Sequence, residues 1–166
     1  MIRVLGFDPG LKITGFGVIE LKAKDCRVVQ AGVIKARVNK DLALRLQELY
    51  RGLKEIIAEA KPDEIAVEEL YSHYQHPRTA ILMGHARGLI YLLSAEQGIP
   101  IVSYSAKRIK KSLTGNGSAS KLQVQRVIQA RLALPRLPEP SDVADALAVA
   151  LCHINCTHLV LGGIIH

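Results

Sequence analysis

The sequence predicts a one-domain α/β fold around a five-stranded mixed sheet, with three antiparallel strands, a parallel centre and flanking helices. Three observations carry this. Strand-like stretches fill the first 36 residues, strand-like and helical stretches alternate afterwards, and 166 residues supply one core but not two lobes. Apolar residues make up 49% and charged residues 22%, a balance that favours a globular chain over a disordered or fibrous one. The domain is expected to span residues 1–158, with residues 159–166 as a short apolar tail.

Residues 2–8 (IRVLGFD) read as an apolar strand ending in an acid. The Asp8-Pro9-Gly10 that follows has turn chemistry, because proline sets φ and glycine tolerates φ > 0. Residues 13–20 and 26–36 alternate or run apolar with β-branched residues and glycines, so the first three strands form an antiparallel meander. Asp41 is a good N-cap for a helix in which Leu42, Leu46, Leu49, Leu53, Ile56 and Ile57 recur at helical spacing, and Lys61-Pro62 ends it. A short strand, residues 63–70, ends in Glu68 and Glu69. A polar loop containing His73, His76 and Pro77 leads to a second long helix that stops before Gly98. Residues 99–104 form the fifth strand. A basic helical turn, the loop Gly115-Asn116-Gly117-Ser118, a helix over about 120–134 and a last helix from Ser141 complete the chain. Strands that alternate with helices pair in parallel, which makes the sheet mixed.

No stretch reaches the roughly 20 apolar residues that cross a bilayer, and Met1 leads straight into a strand, so a cytosolic protein is expected. Cys26, Cys152 and Cys156 are odd in number and do not suggest a disulfide framework. Cys152, His153, Cys156 and His158 are expected to be ordinary helix packing, because three or four ligands on one short helix do not converge on one ion. The net charge of +7 is concentrated. Between Glu96 and Glu139 no acid occurs, whereas Lys107, Arg108, Lys110, Lys111, Lys121, Arg126, Arg131 and Arg136 all fall there. That is the distribution of a phosphate-binding face on a nearly neutral body, with a plain solvated basic helix as the alternative.

Four carboxylates occupy positions that a core does not need: Asp8 closes the first strand, Glu68 closes the fourth, and Asp142 and Asp145 share a face at the start of the last helix. Singly, each has a structural explanation as a turn former, a solvated strand end or a helix-start acid. Together, if strands one and four are parallel neighbours, they meet at the carboxyl end of the sheet. Crowded carboxylates need divalent cations to neutralise them, and oxygen donors suit Mg²⁺ or Mn²⁺. Two such ions support phosphodiester hydrolysis.

The blocks G-F-D-P-G (Gly6 to Gly10), T-G-F-G-V (Thr14 to Val18), A-V-E (Ala66 to Glu68), G-H-A-R-G (Gly84 to Gly88), G-N-G-S-A-S-K-L-Q-V (Gly115 to Val124) and D-V-A-D-A-L-A (Asp142 to Ala148) resemble the RuvC family of Holliday junction resolvases, in family order and spacing. The resemblance implies an RNase H-like fold, a homodimer, and Mg²⁺-dependent cleavage of four-way junction DNA by paired nicks that leave 5′-phosphate and 3′-hydroxyl ends. It also implies coupling to a RuvA–RuvB branch-migration complex. Asp8, Glu68, Asp142 and Asp145 match the family's metal-binding catalytic acids. Tyr71 matches an aromatic position near the exchange point, and Lys110 and Lys121 match basic positions near the scissile phosphates. Lys107, Arg108 and Lys111 are further DNA-binding candidates from the basic segment. The helix bearing Ile81, Leu82, His85, Leu89, Leu92 and Leu93 is the candidate dimer element, with core packing as its alternative. The short apolar tail departs from the family's basic, flexible end.

Three rival readings compete with this one. A nuclease of the same fold with another substrate fits the acids but not the Gly115 to Lys121 block. A nucleotide-binding lobe of the actin and sugar-kinase type needs a second lobe. A silent DNA-binding module needs no convergent acids.

Overall fold

The computed structural model describes residues 1–37, 41–70 and 77–159. Its strands are β1 (Ile2–Asp8), β2 (Ile13–Lys22), β3 (Asp25–Lys35), β4 (Glu64–Glu68) and β5 (Ile101–Tyr104). Its helices are α1 (Leu42–Ala60), α2 (Pro77–Gln97), α3 (Ala106–Thr114), α4 (Lys121–Arg131) and α5 (Ser141–Ile154), with a π-helical turn over Asn155–Leu159. The strands order β3-β2-β1-β4-β5 in one sheet. β1, β2 and β3 pair antiparallel, while β4 pairs parallel with both β1 and β5. This is the mixed sheet the sequence predicts.

Alternation along the strands sends successive side chains to opposite faces and so builds two cores. Leu5, Phe7, Phe16, Val18, Ile65 and Val67 pack under α1 and α2, against Leu49, Leu53, Ile57, Ala86, Ile90 and Leu93. Val4, Ile19, Leu21 and Ala66 face the other way, against α5 and the flanking α3 and α4 through Leu147, Leu151, Ile109 and Ile128. The elements start and stop for local reasons. Asp41 accepts from Leu44 N at 2.9 Å to open α1, and Lys61 in the left-handed conformation closes it. Ser105 caps α3, Gly115 at φ 77° ends it, and Ser120 with Gln123 forms a capping box at α4.

The decisive contact is α5 against β1 and β2. Gly6 and Gly17 are register partners, and Gly15 stands opposite Asp8. A Cβ at Gly6 would come within 2.2 Å of the Ala146 carbonyl oxygen, at Gly17 within 2.6 Å of Leu147, and at Gly15 within 2.0 Å of the Asp142 carbonyl oxygen. The missing side chains let the helix backbone lie on the strands. Gly6→Ala therefore has to push α5 outward. Its expected cost is about 1–3 kcal/mol, read as a lowered midpoint in urea or thermal unfolding.

Candidate active site

β1 and β4 run parallel with Phe7 opposite Val67, so Asp8 and Glu68 leave the sheet side by side at its carboxyl end. Asp8 is in phase with Val4 and Gly6, and Glu68 with Ala66, which puts both on the α5 face. The turn after Asp8 is pinned by buried Thr14. Its hydroxyl donates to the Gly10 carbonyl at 2.7 Å and accepts from Gly10 N at 3.2 Å. From the other side α5 brings Asp142 onto Gly15, and Asp145 follows one turn later. α5 begins after Pro140, which offers no side-chain cap, so the positive end of the helix dipole is turned to these acids.

Their charges feel one another. Burial, then the carboxylates of Asp145, Glu68 and Asp142, push Asp8 from the ordinary 3.8 up to about 7, against a partial offset from Lys121. Burial and Asp145 also raise Glu68, with Lys121 and Lys110 pulling the other way. Lys121 Nζ donates to Asp145 Oδ2 at 2.7 Å, and that bond, with the negative field behind it, raises the lysine. The lysine is aimed by its loop. Asn116 Oδ1 accepts from Ser118 N at 2.9 Å, Thr114 ties the loop's start to α3, and the capping box begins α4 at Lys121.

Two hollows meet at Glu68 and Ala106. One is lined by Asp8, Pro9, Leu70, Met83 and Ser105, the other by Asp145, Lys110, Lys121, Ile109 and Val124. Among the described residues, no three of the four acids bring their oxygens within 4.8 Å of one another. The donor set is all carboxylate oxygen, the chemistry of Mg²⁺ or Mn²⁺.

The predicted basic residues divide. Lys110 and Lys121 join the acids, and Lys107 and Lys111 are exposed on α3. Arg108 turns away from the acids, with its guanidinium 5.3 Å over the Tyr104 ring and beside Cys156, and Arg131 donates to Asn155 at 2.8 Å. The basic segment is thus not one continuous face beside the acids. Tyr71, with His73 and His76, and residues 160–166 of the tail lie outside the described residues. On α2, Leu93 is core and Leu89 packs on it, while Ile81, His85 and Leu92 are exposed.

Cys152, His153, Cys156 and His158 do not converge on one point, as expected of residues on one short helix. The two histidines instead meet at Glu64 on β4, a residue the sequence reading passed over. An α-helix continued through residue 158 would leave histidines five apart on different faces. The π-helical turn brings them together. The two cysteines take no part, and burial pushes the Cys152 thiol up to about 12.

The family model for crossover junction endodeoxyribonuclease RuvC matches residues 4–153. A Rhodopirellula baltica crossover junction endodeoxyribonuclease RuvC is 49% identical over 149 residues, 90% of this chain and 84% of its own. Its Desulforamulus reducens counterpart is 44% identical over 150 residues, 90% and 91% of the two chains. T. thermophilus RuvC, solved in complex with a Holliday junction substrate, matches with a TM-score of 0.90 and 30% identity, covering 96% of this chain and 97% of that one. Sequence over nearly the full length and an RNase H-like sheet of matching topology agree: the chain belongs to the RuvC family of crossover junction endodeoxyribonucleases.

Proposed function

We propose that this chain resolves four-way DNA junctions in recombination and repair by cutting phosphodiester bonds, with Asp8, Glu68, Asp142 and Asp145 as metal-holding catalytic acids. One observation carries the assignment of residues: acids from β1, β4 and α5 converge at one end of the sheet, where burial first and then their mutual repulsion lift Asp8 to about 7. A core has no use for that repulsion. A pair of Mg²⁺ ions, or Mn²⁺ in their place, would relieve it and supply an activated water and a stabilised leaving oxygen, giving 5′-phosphate and 3′-hydroxyl ends.

The protein's own groups do the positioning. Asp8 and Glu68 are held by paired strands, and Asp142 and Asp145 by a helix lying on glycine, so the site is rigid before DNA arrives. Lys121 orients Asp145 and, with Lys110, places positive charge where a phosphate would approach. Lys107 and Lys111 extend that charge over α3 as phosphate contacts, and Arg108, stacked on Tyr104 and turned from the acids, is assigned a phosphate contact outside that stretch. Tyr71 follows Glu68 by three residues in the sequence and is assigned to base stacking at the exchange point.

A junction with twofold symmetry calls for two sites related by the same symmetry. Ile81, His85, Gly88 and Leu92 form an exposed stripe at helical spacing on α2, and we assign it to the contact between two copies. Coupling to a RuvA–RuvB branch-migration complex completes the proposed setting, on family grounds.

Three outcomes are expected. Asp8→Asn abolishes nicking of a synthetic four-way junction, by about a hundredfold or more, yet leaves junction binding in a gel-shift assay within a few-fold of the parent. Full activity in that variant would remove Asp8 from the chemistry. The second outcome concerns pH. Because folding raises the pKa of Asp8, its contribution without metal is complete below about pH 4 and is lost as pH rises through about 7. Metal-free protein should lose on the order of a few kcal/mol across that window relative to Asp8→Asn, and Mg²⁺ should restore it. Unfolding curves at several pH values, with and without Mg²⁺, measure the difference. Third, Leu92→Asp places a charge on the α2 stripe and should give monomers in sedimentation analysis, with paired incisions replaced by uncoordinated single nicks.

A further inference from the structure

β4 and α5 lie against each other in opposite directions, and their shared face carries chemistry at both ends. At one end Glu68 and Asp145 meet in the acid cluster. At the other, Glu64 Oε2 lies 2.6 Å from His153 Nε2 and 2.7 Å from His158 Nε2. The spacings agree: four residues of strand and eight of helix each cover about 12–13 Å.

We propose that Glu64, His153 and His158 form a binding site for a divalent transition ion of the Zn²⁺ class, separate from the acid cluster. Their three ligand atoms lie within 4.8 Å of one another, and among the described residues no other group of three or more histidines, cysteines or acids does so. Two imidazoles and a carboxylate are a donor set for Zn²⁺, Co²⁺ or Ni²⁺ in preference to Mg²⁺, with water as the remaining ligand.

Further features of the structure support a ligand here. His153 is 2% exposed, and its second nitrogen, Nδ1, lies 2.8 Å from the Tyr104 hydroxyl. Metal-binding histidines are usually held in this way, by a partner on the far nitrogen that fixes the ring and its tautomer. The π-helical turn, a rare geometry, is what sets His158 next to His153, and Thr157 holds it by donating to the His153 carbonyl at 2.7 Å. Glu64 and His158 remain partly exposed, at 25% and 18%, which leaves an entry path. On coordination the two N–H···O contacts to Glu64 are replaced by bonds to the ion. Each ring then carries its proton on Nδ1, where the Tyr104 oxygen accepts it from His153. The ion would fasten the π-helical turn to the start of β4, far from the junction-cutting end.

The test titrates full-length protein with Zn²⁺ in the presence of excess Mg²⁺, which holds the acid cluster, and follows binding by calorimetry. Co²⁺ in place of Zn²⁺ reports the ligand set through its visible absorption. One tight equivalent per chain is expected for the parent and for Asp145→Asn, with at least tenfold weaker binding in His158→Ala and in Glu64→Gln. Circular dichroism and junction cutting with Mg²⁺ should be preserved in His158→Ala, because it alters only a partly exposed side chain at the end of the fold. Two results would overturn the proposal. One is Zn²⁺ affinity equal in the parent, His158→Ala and Glu64→Gln. The other is loss of binding in Asp145→Asn alone, which would place the ion among the catalytic acids.

Discussion

The approach of α5 to the bare backbone of β1 and β2 is the constraint on which the rest of this structure depends. Three glycines on one face, Gly6, Gly15 and Gly17, remove the side chains that would hold a helix at ordinary distance, and the helix answers with Ala146 and Ala150. Glycine in a strand costs roughly 0.5–1 kcal/mol against alanine. Here that cost is offset by an almost completely buried helix, in which Leu147, Val149, Leu151, Cys152 and Ile154 are at most 1% exposed. The same contact delivers Asp142 and Asp145 to the strand ends carrying Asp8 and Glu68, and His153 to Glu64.

Electrostatics and packing oppose each other at the acid cluster, and packing wins. Burial and mutual repulsion disfavour ionisation of Asp8 and Glu68, yet the strands and helix leave the carboxylates nowhere to retreat. Lys121 offsets part of the repulsion through Asp145, and a built loop holds it there. Under the proposed function such a site takes up cations, and Lys110 and Lys121 beside it draw a polyanion over them. Its rigidity comes from elements whose stability lies elsewhere, in two cores on opposite faces of one sheet.

Much of this was legible in the sequence because its signals are local. Apolar runs that end in acids at residues 2–8 and 63–70, helical spacing from Leu42 to Ile57, and a cap at Asp41 act over a few residues. Each survives into the fold. The acid set was readable because strand ends and an i, i+3 pair have predictable directions. The division of the basic segment was not. Which way Arg108 and Arg131 turn is decided by Tyr104, Asn155 and Cys156, partners up to about 50 residues distant in the chain.

By itself, then, the sequence determined the strand and helix content, the order of elements, the four acids and the family they announce. The elements follow from spacings of two and 3.6 residues, the acids from their places at strand ends and three apart on a helix, and the family from the resemblance of the motif blocks. Only the tertiary structure decided how closely α5 lies on the sheet, that α5 covers the face of β4 carrying Glu64 and Glu68, and that a π-helical turn sets His158 beside His153. Glu64 lies 89 residues from one histidine and 94 from the other. Contacts over such separations are fixed by how layers pack and by which small residues let them approach, and no local pattern encodes that.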